Sequence, residues 1–169
     1  KSEQQLTTRA SFDALTELYN RETIESQIDN EITLSEARKS EMAVLFIDVD
    51  DFKHYNDQYS HATGDQVLKF VARTIKGTVN EFGFAGRYGG DEFIACIRNA
   101  EINDPTRAAQ DIISKLEEGF ECDGVHLTVS VSIGISMIKD DYNTRVEYII
   151  GKADDAMYSV KKNGKSTYA

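Results

Sequence analysis

The run Met42-Ala43-Val44-Leu45-Phe46-Ile47, ended at once by Asp48-Val49-Asp50-Asp51, decides the architecture. A short unbroken apolar run is the pattern of a strand buried on both faces. Upstream, Arg21 to about Ser40 carries Ile24, Ile28, Ile32 and Leu34 and predicts a helix, with Asp13 placed to cap the segment after it. Downstream, a short helix is predicted over Phe52 to Tyr59. Gly64-Asp65 is expected to open a longer one carrying Val67, Leu68, Val71 and Ile75 at helical spacing. Phe82 to Tyr88 and Glu92 to Ile97 flank Gly89-Gly90, which reads as a hairpin with a two-residue turn. Pro105 starts a helix that runs to about Phe120. Leu127, Val129, Val131, Ile133 and Ile135 alternate with Thr128, Ser130, Ser132 and Gly134, predicting one half-polar strand. Val146 to Lys162 predicts a last amphipathic helix, stopped by Asn163-Gly164. This order gives an α+β domain with a mainly antiparallel central sheet and covering helices.

At 169 residues the chain suits one domain, and 40% hydrophobic with 28% charged residues is an ordinary globular balance. A net charge of −10, with no basic run longer than Lys161-Lys162, repels nucleic acid. No apolar run is long enough to span a bilayer and no signal peptide opens the chain, so no membrane contact by this domain is expected. Cys96 and Cys122 lack metal-ligand spacing and read as reduced thiols, which suits a cytoplasmic domain. Lys1 in place of Met suggests a piece of a longer protein, with residues 1–12 as the end of a connecting helix and 13–169 as the domain. An upstream sensor, and a membrane anchor in the longer protein, would fit that reading.

Chemistry gathers where the buried strand ends. Asp48 at a buried strand end is costly unless paired or liganded. Asp91-Glu92 follow the hairpin turn, and carboxylates from two strand ends with a backbone carbonyl nearby suit Mg²⁺. Gly89 and Gly90 leave room for a phosphate, and Lys53 could neutralise its charge. The pattern points to phosphoryl or nucleotidyl transfer. Taken singly these signals are weak. A Gly-Gly followed by two acids is more often a solvated hairpin, and Asp-x-Asp after a strand is more often a helix-capping loop. His54, His61 and His126 show no metal-site spacing.

The string Arg87-Tyr88-Gly89-Gly90-Asp91-Glu92-Phe93 resembles the motif for which the GGDEF family of diguanylate cyclases is named. Further blocks agree in order. Asp13 to Arg21 (DALTELYNR) resembles D-x-L-T-x-L-x-N-R, and Phe46 to Asp57 (FIDVDDFKHYND) resembles D-x-D-x-F-K-x-x-N-D. His61 to Asp65 resembles H-x-x-G-D, Ser130 to Gly134 a late-strand S-x-G segment, and Ala153 to Lys165 the closing A-D-x-A-x-Y-x-x-K-x-x-G-[RK] block. The match runs from Asp13 to about Lys165.

The resemblance implies a nucleotide-cyclase or palm-like fold and the Mg²⁺-dependent condensation of two GTP into cyclic di-GMP, with Mn²⁺ as an alternative metal. Asp48, Asp91 and Glu92, with the Val49 carbonyl, would hold the metal. Asp91 would also take the proton of the attacking hydroxyl, and Lys53 would assist. Asn56 and Asp65 would read guanine, with His61 as a further contact and Phe52 shaping the pocket. Lys53, Lys161 and Lys165 would meet phosphate, and Gly89 and Gly90 would let the triphosphate lie close. Catalysis would need a second copy of the chain, because the product has two-fold symmetry. The other reading is a catalytically silent GGDEF-like domain that binds GTP or a partner. Retention of Asp48, Asp91 and Glu92 speaks against it. Lys165 stands where Arg is common, Ser166 where Asn is frequent and Ser60 where Gly is frequent. Asn80 and Gly83 replace the Arg and Asp of the family's R-x-x-D product-inhibition motif.

Overall fold

A computed structural model describes residues 11–169. The connecting helix expected over residues 1–12 lies, apart from Ser11 and Phe12, outside them. The elements are α1 (Arg21–Arg38), β1 (Met42–Val49), α2 (Phe52–Gln58), α3 (His61–Val79), β2 (Gly83–Arg87), β3 (Glu92–Arg98), α4 (Pro105–Glu118), β4 (Phe120–Cys122), β5 (Val125–Leu127), β6 (Val131–Ile138) and α5 (Val146–Lys162). Four strands form an antiparallel sheet in the order β2-β3-β1-β6. The expected α+β architecture is present.

β1 is buried on both faces, and period two explains how. Val44 and Phe46 pack in one core with Ile24 and Ile28 of α1 and Ile149 and Met157 of α5. Ala43, Leu45 and Ile47 pack in the other with Val71 of α3 and Ile112 and Leu116 of α4. Helices therefore cover both sheet faces, α1 and α5 on one side and α3 and α4, with Phe52 and Tyr55 of α2, on the other. Asp48 continues the α5 side of β1. Its antiparallel register partner on β3 is Glu92, and on β6 Ser132.

The structure departs from the predicted elements at several points. α3 begins at His61, capped by the Ser60 hydroxyl, which accepts from the Thr63 N–H. Gly64 is thus inside the helix and does not open it. A Cβ there would collide with the Asn56 side chain, so glycine lets α2 and α3 meet. The β2–β3 turn is not a two-residue turn. Its loop spans residues 88–91, and neither Gly89 nor Gly90 takes positive φ. Arg87 holds it instead: Nε donates to the Gly89 and Gly90 carbonyls, each at 3.2 Å, and an Nη donates to Gly90 at 2.7 Å.

The alternating segment from Leu127 to Ile135 is split between two sheets. β5 pairs with β4 in a separate hairpin, and β6 joins the main sheet after the 128–130 connection. Its small polar residues are not a solvated face. Ser132 is fully buried, and Gly134 is packed so closely under α5 that a Cβ would meet the Ala153 carbonyl and the Met157 nitrogen. Asp13 does not cap α1, whose N-cap is Asn20. It accepts from the Thr16 N–H and hydroxyl and binds Arg87, tying the turn before α1 to the hairpin. Tyr19 and Arg87 continue that tie through Arg87 N–H to the Tyr19 carbonyl at 2.8 Å. No helix among the described residues is long and apolar enough to cross a membrane.

Candidate active site

The end of β1, the start of β3 and the last turns of α5 converge on one acidic corner. Asp48 and Glu92 face each other across β1 and β3, and the Val49 N–H donates to the Asp91 carbonyl at 3.1 Å, so strand pairing places the three acids together. Lys161 reaches in from α5, with Nζ 3.0 Å from Asp48 Oδ2 and 3.5 Å from Asp50 Oδ1. Asp48 Oδ1 is buried and receives no hydrogen bond. An orphaned buried carboxylate oxygen is expensive. Here two more acids, Asp91 and Glu92, lie close enough to add like charge.

Electrostatics reflect this crowding. Burial pushes the Asp48 carboxyl up to about 6, against the pull of Lys161, while Asp91 and Glu92 add like charge. Burial raises Glu92 too, helped by Asp91 and by Asp154 on α5. Lys161 is held above its ordinary value, because Asp48 and Asp50 outweigh the burial that opposes its charge. One ammonium shared by two carboxylates does not balance the corner, which is short of positive charge.

The residues present suit a magnesium ion. Among the described residues no group of three His, Cys, Asp or Glu side chains closes a metal cage. Mg²⁺ does not ask for one, since it is commonly held by one or two carboxylates, with substrate phosphates and water completing its shell. Asp48 and Asp91 with the Val49 carbonyl would provide such an incomplete oxygen set, and Asp48 Oδ1 is an oxygen in want of a partner.

Of the remaining predicted residues, Phe52, Lys53 and Asn56 lie on α2, His61 and Asp65 on α3, Gly89 and Gly90 in the β2–β3 turn and Lys165 beyond α5. Asn56 sits over Gly64, with Phe52 against the same spot, next to the exposed Asp65. Lys53 and His61 are exposed and make no ion pair among the described residues. Lys165 Nζ lies 2.9 Å from Asp51 Oδ1. A Cβ on Gly89 would meet the end of the Glu92 side chain, which would have to turn aside, while position 90 opens to free space.

Sequence reasoning passed over Asp50, Asp154 and the Asp13–Arg87 pair. Asp154 was within reach, because it lies seven residues before Lys161 and thus on the same face of α5. The expected product-inhibition positions sit elsewhere. Asn80 and Gly83 line a cavity of about 270 Å³ with Lys76, Phe84 and Arg98.

Comparison with known proteins places the chain in a family. The family described as "Diguanylate cyclase, GGDEF domain" matches residues 10–167. Diguanylate cyclase A of Treponema denticola is 38% identical over 80% of this chain and 36% of its own length. Diguanylate cyclase DosC of Escherichia coli is 35% identical over 92% of this chain and 34% of its own. The chain thus spans about a third of those relatives, and 21% of the signaling protein YkoW of Bacillus subtilis. Among solved structures, the GGDEF domain of YfiN from Pseudomonas aeruginosa is similar with TM-score 0.86 at 33% identity, over 93% of this chain and 92% of that one. The GGDEF domain of DgcB from Caulobacter crescentus, solved in complex with c-di-GMP, gives TM-score 0.86 at 26% identity over 95% of each chain. With the motif, the fold and the acidic corner in agreement, the chain belongs to the GGDEF domain family of diguanylate cyclases.

Proposed function

We propose that this domain is an active diguanylate cyclase, binding one GTP with Mg²⁺ and joining it to the GTP of a second copy. The observation that carries the reading is Asp48 Oδ1, buried without a donor in a corner that retains Asp91 and Glu92. Bound there, Mg²⁺ would supply positive charge to the phosphate oxygens as the α-phosphorus is attacked. Asp91 takes the proton of the 3′-hydroxyl, and that oxygen bonds to the α-phosphorus of the partner's GTP as the bond to pyrophosphate breaks. The same step in the opposite sense closes the ring and releases a second pyrophosphate.

Asn56 and Asp65 read the guanine edge. A carboxylate accepts from both N1–H and the 2-amino group, a pair that adenine does not offer. Phe52 shapes that pocket, and His61 lies at its rim. Lys53, Lys161 and Lys165 draw the phosphates, with Gly90 leaving the hairpin backbone open to them. Two-fold pairing of copies gives each half-site the hydroxyl the other needs.

The test is incubation with GTP and Mg²⁺ and identification of the product by mass. Cyclic di-GMP and two pyrophosphates per product are expected; bound but unconverted GTP would make this a silent domain. Asp91→Ala should cut product formation by about 10²-fold or more without changing the melting temperature appreciably, because its side chain packs against no core. Near wild-type turnover of that variant under saturating Mg²⁺ would remove Asp91 from the chemistry.

A further inference from the structure

Asp50 is 4% exposed, yet no oxygen of its carboxylate lacks a donor. Oδ2 accepts from the Ser130 hydroxyl at 2.6 Å and from the Ser166 N–H at 3.2 Å. Oδ1 accepts from the Ser132 hydroxyl at 2.7 Å and lies 3.5 Å from Lys161 Nζ. These donors come from four parts of the chain: the 128–130 connection, β6, the last turn of α5 and the tail beyond it. A carboxylate so fully engaged has no oxygen to spare for a metal, unlike Asp48.

The tail it holds is unusual. Lys165 and Ser166 both take positive φ, 64° and 56°, a region that residues with a Cβ occupy only when surroundings hold them. The Ser166 N–H, aimed at Asp50 and at Ser132 Oγ 3.3 Å away, is the anchor at that bend. Beyond it the chain pairs with β6: Ile133 N–H donates to the Thr167 carbonyl at 2.9 Å and Ile135 N–H to the Ala169 carbonyl at 2.7 Å. Lys165 leaves the same bend to lie on Asp51.

We infer that Asp50 is a positioning residue for both phosphate-side lysines. It keeps Lys161 beside the corner through charge, and it sets the origin of Lys165 by pinning Ser166. Lys161 otherwise depends on Asp48, whose charge a cation would claim. Asp50 then remains as the acid that retains Lys161 where phosphate arrives. The inference rests on the functional reading above for the ligand that the two lysines meet, while the holding role of Asp50 can be read without it.

The experiment compares the chain with Asp50→Asn, Lys161→Ala and the double variant, measuring KM and kcat for GTP and amide hydrogen exchange. Neighbours coupled through one contact lose about tenfold on removal, and lose it once. Asp50→Asn should raise KM for GTP about tenfold with a smaller change in kcat, and should raise it distinctly less where Lys161 is already Ala, the remainder coming through Lys165. The amides of Ile133, Ile135 and Ser166 should exchange faster in Asp50→Asn. Equal KM shifts with and without Lys161, or wild-type KM in Asp50→Asn, would overturn the proposal. If Asp50→Asn does not fold, Ser130→Ala, which removes one donor and keeps the charge, should show the same KM and exchange changes in weaker form. No change in either refutes the role. A wild-type chain that makes no product fails the functional reading alone, and the exchange result then decides the holding role of Asp50.

Discussion

Asp48 gives one oxygen to Lys161 and leaves the other buried without a donor, and burial, against the pull of Lys161, governs its response to pH. Its carboxyl is raised from an ordinary 3.8 to about 6, so the fold favours the protonated form. The folded domain therefore retains a proton that the unfolded chain releases between those values. For this group alone, stability without metal falls as pH rises from about 4 to about 6. A cation needs the ionised form and must displace that proton. Added Mg²⁺ should raise the melting temperature most above pH 6, with the gain shrinking as pH falls through about 6. Melting curves with and without Mg²⁺ across that range check this, and a gain independent of pH would exclude Asp48 as a ligand. In Asp48→Asn the pH-dependent part of the gain should shrink, leaving what Glu92 contributes.

At the scale of elements, the distance of α5 from the sheet places Lys161. Gly134 permits that approach, because any side chain would strike the Ala153 carbonyl and the Met157 nitrogen. Gly134→Ala should push α5 outward and cost about 1–3 kcal/mol of stability, as overpacking does. Activity should drop further than the melting temperature alone explains, as Lys161 leaves Asp48; parallel urea unfolding and turnover measurements separate the two effects. β2 carries a second expectation. Asn80 supplies no guanidinium, and a Cβ on Gly83 would collide with the Cys96 carbonyl on β3, so this edge cannot carry an acid without moving the sheet. Calorimetric titration with cyclic di-GMP, the active site being filled with a non-hydrolysable GTP analogue, should show no tight product site at Asn80 and Gly83. Installing the missing pair as Asn80→Arg with Gly83→Asp should lower the melting temperature and should not create such a site.

For the whole molecule, the proposed reaction gives one domain half of a two-fold site, so turnover by that route would depend on pairing of copies. Product formed per molecule should rise with protein concentration across a dilution series, with light scattering following the dimer. Constant specific activity in a sample that scatters as a monomer would contradict catalysis between facing copies. The negative net charge of −10 opposes that pairing at low salt, and raising ionic strength should move the activity curve toward lower protein concentration.

Much of this fold is legible in the chain itself. The Met42–Ile47 run, the helical spacing of Ile24, Ile28 and Ile32, and the acids at the end of the first strand and after the hairpin turn are local patterns, and local patterns are carried in the chain. They determined the α+β class, the central strand and the acidic loops, and the quoted motifs determined the family. Tertiary structure decided the rest, because it depends on partners remote in sequence. That Leu127–Ile135 is split between two sheets comes from the pairing of β5 with β4 and of β6 with β1. That Gly64 and Gly134 are contact points between elements comes from the groups packed over them. In the sequence Asp50 is one more acid of the Asp48-Val49-Asp50-Asp51 run. Only folding brings Ser130, Ser132, Lys161 and Ser166 to it, and a buried carboxylate is stable only where such donors have been assembled around it.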